Sequence, residues 1–259
     1  MTPWKLMAIG LGAGIFAGGL GVGGGIILVP LLIWAGLDRH RAHATSLAAI
    51  LLIGVVGAMS FGYSGELRLD VGLTIGLGGV VGSLLGANAM NRMSARSLTI
   101  VFGVVLLVAG LRMVSGADPL PGAGDLSTAA LVAISIGIGL VAGFFAGIAG
   151  VGGGVVIVPA AVFFLGLDQH EAQGTSLVAI VLTALAATWA NYRNGRVVPK
   201  DGLLAGVGGA VGALLGSRLA LGADEDTLAF AFGVLILLVS LRSLYRVIRP
   251  SQSISASSG

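Results

Sequence analysis

Apolar stretches of roughly 15 to 23 residues follow one another along almost the whole of this 259-residue chain. They run over 4–20, 22–36, 42–62, 71–90 and 97–114, and again over 127–149, 151–166, 173–192, 202–221 and 227–245. The third, fourth and fifth stretch of each set are long enough to span a bilayer, since ~20 helical residues cross the hydrocarbon core. The second is short in both sets and is joined to the first through a glycine cluster. The pattern predicts an all-α integral membrane protein built from two inverted-topology repeats of about five hydrophobic segments each. The first two segments of each repeat form a glycine-broken or re-entrant helical hairpin, or else two short crossings. The first repeat covers 1–114 and the second 127–249; between them a Pro- and Gly-rich linker, 115–126, marks the boundary. Residues 250–259 are polar and of low complexity and read as a disordered tail.

The duplication is written most clearly in the polar and glycine positions. GVGGG occurs at Gly21–Gly25 and at Gly150–Gly154, with Pro30 and Pro159 following each copy. Each is followed by one signature: Asp38-x-His40-x-Ala42-x-x-Thr45-Ser46-Leu47, then Asp168-x-His170-x-Ala172-x-x-Thr175-Ser176-Leu177. Lys5 and the apolar run after it mimic a signal peptide. Gly10, Gly14 and Gly18 recur as Gly139, Gly143 and Gly147 at the same 129-residue offset as the glycine clusters, which places this run inside the repeated core.

Composition and charge sharpen the picture. Hydrophobic residues make up 56%, charged residues 10%, and 45 residues are glycine; the mean hydropathy is +1.03. An odd number of segments per half inserts the second half upside down. One face of the membrane then holds Lys5, Arg39, Arg41, Arg92, Arg96, Arg193, Arg196, Lys200, Arg242, Arg246 and Arg249, which is 11 of the 14 basic residues. The positive-inside rule makes that face cytoplasmic, with both termini, in a multi-pass membrane protein. Without clustered basic residues the net charge of +3 speaks for topology and against nucleic acid as a partner. With 3 histidines and no cysteine the chain is a poor metal binder, and no metal site or cofactor is expected.

Irregular backbone at bilayer depth is tolerated where protein or a cavity surrounds it, which makes the glycine breaks the candidate site. Tight helix packing is the plain alternative. A break exposes backbone N–H groups, and the helix after it begins with its positive dipole end inside the protein, where anions are favoured. The expected substrate contacts are N–H groups of Gly23, Gly24, Gly25, Gly152, Gly153 and Gly154 and hydroxyls of Thr45, Ser46, Thr175 and Ser176. Gly24 and Gly153 are expected to need a positive φ, so that valine at either stops flux. Asp38 and Asp168 read as helix N-caps and Pro30 and Pro159 as helix-loosening residues, all four structural. No Asp or Glu lies deep in the long spans, so a carboxylate proton relay is absent; coupling to protons or sodium is left open. No catalytic residues and no enzymatic activity are expected. Ser46 with His40, or Ser176 with His170, would be the only dyads, and six residues of separation put them about 240° apart on a helix.

The repeated G-x-G-G-G-x-x-x-x-P element with its downstream T-S-L resembles the TauE/SafE family of sulfite and organosulfonate exporters. The elements are Gly21, Gly23–Gly25, Pro30 and Thr45–Leu47, then Gly150, Gly152–Gly154, Pro159 and Thr175–Leu177, and the likeness runs from about residue 7 to 246. The resemblance implies an inner-membrane carrier that moves a small sulfur-containing anion outward, with alternating access of one repeat against the other. An anion channel, a membrane assembly subunit and an intramembrane enzyme are the competing classes. Substrate, coupling ion and oligomeric state are not specified by it.

Overall fold

The computed structural model describes residues 2–89, 95–149 and 153–248. Among them every regular element is helical: α1 (Pro3–Leu20), α2 (Gly25–Trp34), α3 (Arg39–Tyr63), α4 (Leu69–Ala89), α5 (Ala95–Val114), α6 (Thr128–Ala149), α7 (Gly154–Leu165), α8 (Gln169–Arg193), α9 (Pro199–Leu221) and α10 (Glu225–Ile248). Eight are long and apolar enough to cross a membrane; α2 and α7 are the two short ones. Large apolar side chains such as Leu77, Leu84, Leu219 and Leu238 are exposed on the outward faces. On a soluble protein they would be an aggregation surface; on an integral membrane protein they are the lipid-facing surface. Gly152 of the second glycine cluster, the arginines Arg92 and Arg249 and the tail 250–259 lie outside the described residues.

Glycine contacts give the direction of each helix. Gly10, Gly14 and Gly18 of α1 face Ala205, Gly209 and Ala213 of α9 in that order. Gly202, Gly206 and Gly209 of α9 face Thr45, Ala49 and Ile53 of α3. Helices α1, α3 and α9 therefore run the same way. Gly139 and Gly143 of α6 face Ile75 and Gly79 of α4, and Gly72, Gly76 and Gly79 of α4 face Thr175, Ala179 and Thr183 of α8. Helices α4, α6 and α8 are likewise parallel. Between the groups the register reverses: Gly54, Gly57 and Phe61 of α3 meet Val181, Leu177 and Gly174 of α8. So α1 and α3 run opposite to their counterparts α6 and α8. Since α1 and α3 share a direction, α2 must turn back, and Gly24 does lie against Ala13 and Ala17 of α1. The same holds for α7 between α6 and α8. Each short segment thus forms a hairpin with the helix before it.

The pairings α1–α9 and α4–α6 join one repeat to the other. Each is a ladder of glycines at spacing four: Gly10, Gly14 and Gly18 against Gly208, Gly212 and Gly216, and Gly139 and Gly143 against Gly78, Gly82 and Gly86. A Cβ on any of these would sit closer than 3 Å to the facing backbone, usually a carbonyl oxygen. Small residues let membrane helices approach until backbone meets backbone, which replaces the hydrophobic drive that lipid does not supply.

Candidate functional site

The start of α7 meets the first glycine break. Helix α1 ends at Gly21, whose left-handed φ of 68° lets its N–H return to the Ala17 carbonyl. Gly23 and Gly24 are also left-handed, at 72° and 76°. Helix α2 then starts, with Ile27 and Leu28 donating to the Gly24 carbonyl at 3.1 and 2.9 Å. The N–H groups of Gly25 and Ile26 precede those first bonds and so have no intrahelical acceptor. Helix α7 repeats this: Val156 and Ile157 both donate to the Gly153 carbonyl at 3.0 Å, after the N–H groups of Gly154 and Val155. A Cβ on Gly154 would stand 2.6 Å from Val22 Cα and 2.7 Å from the Gly21 oxygen, so the start of α7 rests on the first break. Two helix N-termini thus converge on one buried place, with Ile50 and Ile180 beside Gly23.

Gly153 corrects an expectation. Its φ is −71°, in the ordinary right-handed region, so it does not share the left-handed backbone of its counterpart Gly24. At these two matching positions the breaks are alike in sequence but not in conformation.

The four hydroxyls are all buried. Thr45 accepts the Val198 N–H at 3.1 Å and Thr175 accepts the Arg68 N–H at 3.0 Å. Val198 and Arg68 immediately precede α9 and α4, so each threonine holds the start of a helix from the other repeat. Ser176 donates to the Gly21 carbonyl at 2.6 Å, at the break itself. Ser46 donates to the His43 carbonyl of its own helix at 2.8 Å. Thr45→Val and Thr175→Val should therefore each cost about 1–3 kcal/mol of stability, the penalty for a buried donor left without its acceptor. Thermal unfolding of the purified variants measures this; a change in anion affinity with no loss of stability would contradict it.

The cap residues differ. Asp38 accepts from the N–H groups of His40 (3.1 Å) and Arg41 (3.0 Å), with the Arg41 guanidinium 3.5 Å away. Asp168 takes the N-cap backbone position but makes no side-chain cap bond, contrary to expectation. Glu171 stands where Arg41 stands in the first repeat, and a second carboxylate repels Asp168 instead of holding it over the first turn. His40 is exposed, whereas His170 is buried, its Nε2 2.9 Å from the Ala220 carbonyl and its Nδ1 3.5 Å from Glu225. Pro30 and Pro159 lie inside α2 and α7.

The surroundings of the short helices are unequal. Most of α7 is buried, while α2 buries only Gly25, Leu28 and Leu32 and leaves Trp34 82% exposed. The linker accounts for part of this. Leu120 N–H bonds the Phe163 carbonyl at 3.0 Å, Arg112 stacks 4.6 Å over the Phe163 ring, and Gly166 abuts Ala123 and Gly124.

Two buried residues escaped the sequence pattern. Gln169 and Gln173 of α8 are 4% and 0% exposed, and among the described residues neither amide has a hydrogen-bond partner. Their first-repeat counterparts are Arg39 and His43. The repeated signature points to residues that are identical between halves; these are positions where the halves differ.

Two helix N-termini, each of which favours negative charge, thus meet at a buried place inside a glycine-zippered helical bundle. Known proteins similar to this chain are membrane transporters. Residues 1–113 and 135–258 match the family described as Sulfite exporter TauE/SafE. The chain belongs to the TauE/SafE family. Among its relatives, a probable membrane transporter protein of Xylella fastidiosa (strain Temecula1) is 28% identical over 93% of this chain and 95% of its own length. The probable membrane transporter protein YunE of Bacillus subtilis (strain 168) is 24% identical over 93% of this chain and 96% of its own. A second B. subtilis protein, YjnA, with the same description, is 24% identical over 92% and 98%. This TauE/SafE chain is therefore a multi-pass membrane protein of a transporter family.

Proposed function

We propose that the protein exports a small oxyanion, sulfite or an organosulfonate, across the inner membrane by secondary transport. The observation that carries this reading is the convergence of the N-termini of α2 and α7 at the buried breaks. Each supplies free N–H groups and roughly half a unit of positive charge in the idealised dipole picture. The contacts we assign are the N–H groups at Gly23–Gly25 and Gly153–Gly154 and the hydroxyl of Ser176, which reaches Gly21, with Ser46 as its counterpart in the first repeat. The threonines serve the site by holding helix starts in place. A neutral site of amides and hydroxyls suits a carrier that must also let go, whereas a fixed arginine would hold a divalent anion through charge-assisted bonds.

Alternating access then moves two mixed bodies. Helices α1 and α9 are locked together by their glycine ladder, as are α4 and α6, so the moving units combine helices from both repeats. Their sliding surface is the α3–α8 contact. Saturable flux of radiolabelled sulfite or taurine in proteoliposomes tests the carrier, and a thermal-shift panel of small anions tests binding, since a ligand stabilises the state it occupies. Flux that rises linearly with concentration without saturating would identify a channel instead. Orientation is tested separately. Single cysteines at the exposed Ser64 and Ser127 should react with a membrane-impermeant thiol reagent from outside, and one at Arg196 should not. The reverse pattern would place both termini outside.

A further inference from the structure

Helix α8 carries one polar stripe that runs from its first turn to the glycine break. Gln169, Gln173 and Ser176 lie at positions i, i+4 and i+7, on one face of the helix. All three are buried. Ser176 ends the stripe by donating to Gly21, and Gln173 lies against the same glycine: a Cβ placed on Gly21 would be 2.7 Å from Gln173 Cα and 2.9 Å from its Cβ. Both atoms of the Gln173 amide, and both of the Gln169 amide, lack hydrogen-bond partners among the described residues. Buried amides are normally satisfied, because leaving one unpaired sacrifices its interaction with water for nothing. Two in succession on one stripe, leading to a place built to attract anions, mark groups kept for a partner that comes and goes.

We propose that Gln173 is a binding residue for the transported oxyanion, donating its amide N–H to the cargo beside Gly21, and that Gln169 is the next amide on the way out. This rests on the transport reading above. The first repeat gives the comparison: its matching stripe on α3 is Arg39, His43 and Ser46, with Arg39 exposed. Because α3 and α8 are antiparallel, the two stripes lead from the breaks toward opposite ends of the molecule. One is basic where it reaches the surface and draws anions in; the other offers only neutral amides, which bind through hydrogen bonds and release readily. The cargo is a small anion with several acceptor oxygens, since the stripe presents donors without a fixed charge.

The test is sulfite transport in proteoliposomes together with thermal unfolding. Gln173→Met keeps the length and removes the amide. It should melt at or above the parent temperature, because an unpaired polar group has gone, while the half-saturating sulfite concentration rises about tenfold, as for a lost hydrogen bond to a charged partner. Gln173→Asn, with the amide on a shorter stem, should fall between the two, and Gln173→Glu should stop flux by setting a carboxylate against the anion. A Gln173→Met protein with parent half-saturation, or one that no longer folds, overturns the proposal; in the second case the amide was holding structure. If the parent itself neither binds nor moves sulfite or sulfonates, the transport reading falls first and this one with it.

Discussion

Valine at Gly14, or at its counterpart Gly143, is expected to unfold the protein. The new Cβ would point at the carbonyl of Gly209 in the first case and of Gly79 in the second, with the facing Cα only 2.8 Å away. Both obstacles are backbone inside a helix, so neither can rotate aside as a side-chain tip would. Relief requires the two helices to separate, and separation undoes the neighbouring contacts of the same ladder. Overpacking a well-filled core costs about 1–3 kcal/mol even where side chains can yield, and here more than about 3 kcal/mol is expected. The measurement is melting in detergent, with Gly12→Val as the control on the same helix, because a Cβ at Gly12 meets nothing within 4 Å. Equal melting of the Gly14 and Gly12 variants would mean that the ladder does not hold the helices together.

The second large effect is on flux and is unequal between the halves. Gly24→Val should abolish transport while Gly153→Val keeps a measurable part of it. At Gly24 the φ of 76° is one that a β-branched residue adopts only at about 1–2 kcal/mol, and the Cβ would lie 3.0 Å from the Ala13 carbonyl oxygen. The start of α2, and with it the N–H groups offered to the anion, would have to move. At Gly153 the backbone is already right-handed, and the nearest atoms are the ends of side chains, Ala142 Cβ and Ile157 Cδ1, both at 3.3 Å. Flux per folded protein, after normalising for insertion, is the readout. Equal loss in both variants would show that the breaks work symmetrically despite the different backbone at Gly24 and Gly153.

Much of this was legible in the chain. The apolar stretches match the ten helices, and the glycine breaks fall where α1 gives way to α2 and α6 to α7, because membrane helices must satisfy their own backbone and only glycine and proline interrupt them without losing insertion. The path of 22–36 has two interpretations, a re-entrant hairpin and a short crossing, and the shared direction of α1 and α3 is common to both. The GxxxG spacing of Gly10, Gly14 and Gly18 was visible, but its partner was not, because a contact between residues almost 200 apart leaves no local pattern. At the site, looking for identical residues in the two halves found Thr45 and Thr175, which turn out to hold helix starts. It passed over Gln173, whose counterpart is His43. The loss of the cap at Asp168 has the same origin, since Glu171 in place of Arg41 lies outside the shared signature.

The α1–α9 ladder also imposes an order on biosynthesis. Helix α1 leaves the ribosome first, yet its glycine face has no mate until α9 has been made, when about four-fifths of the chain is already out. Helices α4 and α6 are separated by one helix and can zip together early. The half of the molecule that contains α4, α6 and α8 is thus able to assemble during synthesis, whereas the glycine face of α1 stays bare in the bilayer until α9 arrives, when only α10 remains to be made.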